Sequence, residues 1–244
     1  MALFLNLYLG HLLGDFLFQP GRLVVAKREG APGLLLHTSI VGACCALALV
    51  DDLTSLWGAV LAIIASHAAI ELVTIAAYRA TPTRGLFTFA MDQVLHILSI
   101  VLVTWLSGEW LVFDEMTTTF GFTVNTADLT LAVALAAVGL MGSILTFETS
   151  NTVLKGRQNK GVILRFDGDR IAGIAERMAG LALMFWLHPL AVPLAFLPRL
   201  LLERGDPVLR RLRVVEAMTG VFLCLTLYLV VLGAESVLDV AILP

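Results

Sequence analysis

The sequence predicts an all-α protein, a polytopic transmembrane helix bundle of about eight spans. Three observations carry this. The 244-residue chain is 59% hydrophobic and 14% charged, with a mean hydropathy of +0.91, whereas soluble domains carry about 25% charged residues. Its apolar residues come in long blocks such as Leu53–Ile70 and Leu129–Leu145, and a helical span needs roughly 20 of them. The basic residues gather in every second connection between blocks.

The spans are predicted at 2–19, 32–50, 56–78, 86–107, 129–153, 171–187, 190–203 and 214–233. The seventh is short and contains Pro193 and Pro198. If spans six and seven run on through a kink at His188-Pro189, the count falls to seven. Arg22, Lys27 and Arg28 follow span one, and Arg79 and Arg84 follow span three. Lys155, Arg157, Lys160, Arg165 and Arg170 follow span five, and Arg199, Arg204, Arg210, Arg211 and Arg213 follow span seven. The intervening connections carry Asp51 and Asp52, then Glu109, Asp114, Glu115 and Asp128, then no Lys or Arg. The positive-inside rule therefore puts the basic loops in the cytoplasm and both termini outside.

Residues 1–107 form a four-span module rich in polar motifs, 108–128 an outer loop, and 129–244 a second transmembrane module. Trp105 and Trp110 suit an interfacial belt. No basic stripe interleaved with aromatics supports nucleic-acid binding. Cys44, Cys45 and Cys224 lie inside apolar blocks and read as small apolar filler rather than a disulfide framework. The first block lacks a basic leader and contains His11 and Asp15, unlike a cleavable signal peptide.

Ionisable groups inside a bilayer cost about 3 kcal/mol each on insertion scales, which makes them functional candidates. Spans one to four hold His11, Asp15, His37, His67, Glu71, Asp92 and His96. Six of them fall into His11/Asp15, His67/Glu71 and Asp92/His96, each four residues apart and so on one helix face. His37 adds a nitrogen from the second span. Counted from the predicted cytoplasmic ends, all seven lie in one band roughly 6–18 Å deep at ~1.5 Å per residue.

Imidazole and carboxylate form a nitrogen/oxygen set suited to a divalent metal, zinc first, with manganese or iron as alternatives. Seven candidates exceed one tetrahedral shell, so one or two ions are expected. A cytoplasm-facing ion of this kind activates water, with Asp15 or Glu71 as the catalytic base. Gln19, Gln93, Glu148 and Glu176 are candidates for the surrounding shell. Three other readings stay open: a proton or divalent-cation transporter, bis-histidine haem ligation, and a scaffold whose polar pairs only lock helices together. His188 reads as a loop residue.

Gly10-His11-Leu12-Leu13-Gly14-Asp15-Phe16-Leu17-Phe18-Gln19, then Lys27 and Leu36-His37, resembles the opening of the bacterial membrane proteins grouped as domain of unknown function 3307. Asp92-Gln93-Val94-Leu95-His96 is similar to that family's Asp-Gln-x-x-His motif. Ser66-His67 with Glu71 resembles a third element in which Asp is more usual. Arg170–Arg177 looks like a Gly-Arg-x-Ile-Gly-x-Leu-Glu-Arg stretch of its longer members, with the glycine shifted, and Glu216 like an acid before their last span. The resemblance implies a multi-pass protein of the bacterial inner membrane and assigns no reaction. The clustered pairs also resemble zinc phospholipases and membrane-bound metal-dependent hydrolases, in ligand pattern only. The expected activity is hydrolysis of a lipid or phosphoester, with membrane lipids as surroundings and a lipid or small molecule as substrate.

Overall fold

The computed structural model describes residues 2–81, 85–109, 115–153, 168–202 and 207–242. Arg84, Trp110, Asp114, Lys155, Arg157, Lys160, Arg165 and Arg204, on which part of the loop reading rests, lie outside the described residues. The chain divides into two compact units, Met1–Val133 and Ala134–Pro244.

In the first unit, α1 (Ala2–Leu12) runs directly into a π-helical turn, Leu13–Leu17. A short helix α2 (Gly21–Glu29) then leads to α3 (Ala31–Ala48), α4 (Leu53–Ala80) and α5 (Gly85–Leu106). Helix α1 packs on α3, α3 on α4, α4 on α5, and α5 returns to α1, so the four close a ring; α2 lies against α3. The α3–α4 and α4–α5 connections are short, as antiparallel neighbours require. The ring's outer face is apolar, with Leu35, Trp57, Leu61, Val73, Phe87, Leu98 and Trp105 exposed. Water does not tolerate so large an apolar surface; lipid contact accounts for it.

Two glycines set how closely the ring closes. A Cβ on Gly10 would stand 2.7 Å from Cys45 Cα, and one on Gly14 would stand 2.6 Å from Val41 Cα. Gly10-x-x-x-Gly14 is thus a small-residue seam that brings α1 onto the backbone of α3, as in membrane helix pairs.

The predicted outer loop contains an element absent from the all-α expectation. Met116–Thr119 (β1) and Phe122–Asn125 (β2) pair antiparallel through Phe120-Gly121. Both turn residues have positive φ, 50° and 79°, as a tight two-residue hairpin demands. Thr117, Thr118, Thr119, Thr123 and Val124 are β-branched and favour the pleat. The hairpin is tied down by Asn6, which donates to Thr118 O at 2.9 Å, and by Phe120 N, which donates to Ala48 O at 3.3 Å.

Helix α6 (Thr126–Ala136) begins in the first unit and ends in the second, where a π turn (Ala137–Met141) leads to α7 (Gly142–Val153). Helices α8 (Gly168–Trp186), α9 (Leu197–Leu202) and α10 (Pro207–Ile242) complete the unit, with a 3-10 segment, Pro189–Ala195, between α8 and α9. The core gathers Val138, Leu181, Met184, Val192, Phe196, Leu223 and Cys224. Arg177 is buried and caps the π turn, donating from Nε to Val138 O (3.1 Å) and from Nη2 to Gly139 O (3.2 Å). A network of Arg199 and Arg213 with Asp169, Glu176 and Glu216 surrounds it.

The expected count of about eight spans is corrected here. Among the described residues, five helices are long and apolar enough to cross a bilayer: Ala31–Ala48, Leu53–Ala80, Gly85–Leu106, Thr126–Val153 and Arg210–Gly233. In place of the predicted first span, 2–19, the structure has a shorter apolar helix, Ala2–Leu17. The sixth carries Asp169, Arg170, Glu176 and Arg177 within Gly168–Trp186. The seventh is a 3-10 segment broken by Pro193 and followed by the six-residue α9. Hydropathy blocks overcounted because apolar residues that pack against protein read the same as those that face lipid.

The seam can be tested directly. Gly14→Ala is expected to destabilise the protein by ~1–3 kcal/mol, the usual cost of overpacking, visible as a lower Tm in detergent. Gly58→Ala, whose Cβ meets nothing within 4 Å, should not lower Tm, since Ala favours the helix interior over Gly.

Candidate metal centre

Helical spacing alone puts each imidazole and carboxylate on a common face, and the ring turns those faces inward. His11, Asp15, His37, His67, Glu71 and His96 are each at most 5% exposed. The four histidine rings form one cluster: His67 and His96 lie 4.4 Å apart between centroids, His11 and His96 4.7 Å, His37 and His67 5.0 Å. The expected i,i+4 pairs are formed: His11 Nε2–Asp15 Oδ2 at 3.8 Å, His67 Nε2–Glu71 Oε1 at 4.0 Å, and His96 Nδ1–Asp92 Oδ2 at 3.6 Å.

His37, which has no acid four residues away, makes the most contacts. Its Nε2 lies 3.2 Å from Asp15 Oδ1, 3.2 Å from Glu71 Oε1 and 3.0 Å from His67 Nε2. Its Nδ1 is 2.9 Å from the Gln19 carboxamide. Gln19 is satisfied at both ends when its nitrogen donates to Asp15 O (3.2 Å) and its oxygen accepts from Lys27 Nζ (2.8 Å) and His37 Nδ1. A proton on His37 Nδ1 would complete that bond and leave Nε2 as a lone pair, the way an outer partner fixes a metal-binding tautomer. Two carboxylate oxygens and a second imidazole nitrogen then converge on that lone pair. Carboxylate oxygens facing a lone pair in a dry interior are unfavourable unless a cation lies between them, so the group is one able to hold a metal ion. Ligands ~2.0–2.2 Å from a tetrahedral ion stand roughly 3.3–3.6 Å from one another, close to the spacings around His37.

Asp15, His37, His67 and Glu71 therefore form one group whose ligand atoms all lie within 4.8 Å of one another, and His11, Asp15 and His96 form another. Asp15 reaches both from the π turn, an irregularity often found at functional sites. Asp92 falls outside both groups. Thr74 Oγ1 donates to its Oδ1 and Gln93 Nε2 to its Oδ2, each at 2.8 Å, while His96 Nδ1 donates to Asp92 O at 2.9 Å. Asp92 and Gln93 thus orient His96. Glu148 and Glu176 belong to the second unit, where Arg199 engages Glu176 at 3.2 Å. His188 accepts from Leu190 N in the turn after α8, as a loop residue would.

Two residues take part in the cluster without having been site candidates by sequence. Lys27, on α2, donates to Glu71 in the heart of the cluster, yet a Lys just outside an apolar block is naturally read as a topology signal. Thr74 follows Glu71 by three residues and shares its face, a signal that was there to be used.

The chain matches the DUF3307 family, described as a protein of unknown function, over residues 3–121. The DUF3307 match covers every buried ionisable residue of the cluster, together with Gln19, Lys27 and Gln93, and ends before the second unit begins. Within the matched segment, Gly10 and Gly14 form the α1–α3 seam, and Asp15 is the residue common to both groups. No curated protein and no solved structure matches the chain.

A layer of apolar side chains closes one side of the cluster. Leu7, Val41, Ile63 and Ile100 are fully buried, and each lies one turn from a cluster histidine: four before His11 and His67, four after His37 and His96. Since the helices alternate in direction, all four displacements point the same way. Lys27 and Gln19 stand at the other side.

Lys27 places a cation where a divalent ion would sit beside Glu71. Lys27→Met is therefore expected to tighten divalent-ion binding about tenfold, because like charges a few ångströms apart repel by ~1–4 kcal/mol. Competition against a chromophoric chelator measures it. Weaker binding in the variant would mean that Lys27 mainly holds Glu71 in place.

Proposed function

We propose that the first unit is a metal-dependent hydrolase of the bacterial inner membrane, acting on a lipid or phosphoester that enters from the cytoplasmic side. The observation that carries this reading is the convergence of Asp15 Oδ1, Glu71 Oε1 and His67 Nε2 on His37 Nε2 at 3.0–3.2 Å, except that His67 and Glu71 are 4.0 Å apart. These four residues would hold a divalent ion, with zinc the first candidate for a nitrogen/oxygen shell and manganese or iron next. Such an ion lowers the pKa of the water it binds.

Hydrolysis needs only water as co-reactant. The water oxygen bonds to the phosphorus or acyl carbon, the ester bond breaks, and the proton passes through Asp15 or Glu71 to the leaving oxygen. Lys27, beside Glu71, supplies positive charge for an anionic ester. The apolar layer of Leu7, Val41, Ile63 and Ile100 favours this reading over a transporter, which needs a polar path through the ring. In this reading α1 is the fourth wall of the ring despite its length. The basic connections lie in the cytoplasm and both termini outside. Residues 1–107 and 129–244 act as separate modules about the 108–128 loop.

His37→Ala and His67→Ala should each lower bound metal at least about tenfold, the loss typical even for outer-shell changes, by elemental analysis of protein purified without chelator. His188→Ala should not. In vesicles of anionic phospholipid the loaded protein should release ester products, and His67→Ala should not. Metal-dependent ion flux without hydrolysis would instead establish transport. Reporter fusions at Arg84 and Asp114 should fall in opposite compartments; a shared compartment would overturn the proposed topology.

A further inference from the structure

Resting on the metal reading above, we propose that the centre holds a second divalent ion, bound by His11, His96 and Asp15, with the Asp15 carboxylate bridging the two. The first support is the division of Asp15. Its Oδ1 faces His37 Nε2 at 3.2 Å, and its Oδ2 faces His11 Nε2 at 3.8 Å. One carboxylate thus presents one oxygen to each group, as a bridging ligand does.

The second support is a pair of orphaned nitrogens. His11 Nε2 and His96 Nε2 are buried and have no hydrogen-bond partner, on side chains only 1% and 2% exposed. Buried polar atoms without partners are uncommon and call for a cause. His96 donates from Nδ1 to Asp92 O, which leaves its Nε2 as a lone pair. Asp92 Oδ2 also lies 3.6 Å from that Nδ1, and Thr74 and Gln93 hold both carboxylate oxygens of Asp92. Together with Asp15 these atoms lie within 4.8 Å of one another. A dry pocket that aims a carboxylate oxygen and two imidazole nitrogens at one point, with one imidazole locked into its binding tautomer, is built for a cation.

Paired ions about 3.5–4 Å apart clamp both the attacking and the leaving oxygen of a displacement. Two divalent ions and Lys27 against Asp15, Glu71 and Asp92 leave the pocket net positive, which fits a phosphate ester better than a neutral carboxylic ester. With Asp15 occupied as the bridge, Glu71 becomes the carboxylate that handles the proton.

The test uses full-length protein in detergent, stripped and reloaded with Mn2+ alone, then read by elemental analysis and electron paramagnetic resonance. The wild type should bind two Mn2+ per chain and give an exchange-coupled signal. His11→Leu and His96→Leu should each fall to one Mn2+ with an uncoupled six-line spectrum, while Lys27→Met keeps the pair. An uncoupled spectrum at one Mn2+ per chain in the wild type, unchanged by His11→Leu, overturns the second ion and leaves the first centre standing. No bound Mn2+ in any form overturns the first centre, and the bridge falls with it. Should the leucine variants not fold, the wild-type spectrum decides alone, since a coupled pair requires the bridge and an isolated ion excludes it.

Discussion

Carboxylates and imidazoles removed from water must be satisfied by one another or by a cation, and this requirement organises the first unit. At about 3 kcal/mol per ionisable group, six such residues scattered over a lipid-facing surface would offset much of the stability of an ordinary domain. Folded into the ring, they face inward, and His37 collects Asp15, Glu71 and His67 around a single nitrogen. The same cost explains the partners one layer out. Gln19 fixes His37, while Thr74 and Gln93 hold Asp92, which in turn fixes His96.

Holding those contacts requires helices that cannot drift apart. The Gly10/Gly14 seam brings α1 within side-chain-free distance of Val41 and Cys45 on α3. In lipid, where apolar attraction between helices is weak, such close backbone packing is a principal source of association. The π turn at Leu13–Leu17 then widens α1 where Asp15 must reach two groups at once. A regular helix would carry Asp15 to a different angle. Motif glycines and motif acid therefore serve one geometric end.

The second unit shows the same economy with different chemistry. Its π turn leaves carbonyls at Val138 and Gly139, and the buried Arg177 takes up both. Gly142 and Gly173 leave room for that side chain: a Cβ on either would lie 3.2 Å from an Arg177 nitrogen. Here an irregular backbone is stabilised by a cation supplied by the chain itself, whereas the first unit gathers acids and imidazoles able to hold a metal ion, with Lys27 on Glu71.

Much of the candidate site was legible in the sequence. Composition and block length determined membrane residence. The four-residue spacing determined which face of each helix is polar, and the common depth of His11, Asp15, His37, His67, Glu71, Asp92 and His96 implied one cluster. Periodicity carries that information because the rise and turn of a helix are set locally. The partners of His37 were not legible, since they come from the π turn, the connection at Gln19 and α4 through packing that no local period encodes. For the same reason spacing made Asp92 look equivalent to Asp15, and only the tertiary structure turned one toward Thr74 and Gln93 and the other toward two groups of imidazoles. The 116–125 hairpin and the number of long spans were likewise decided in three dimensions. Hydropathy records that a residue avoids water, but whether it meets lipid or protein depends on which helices become neighbours.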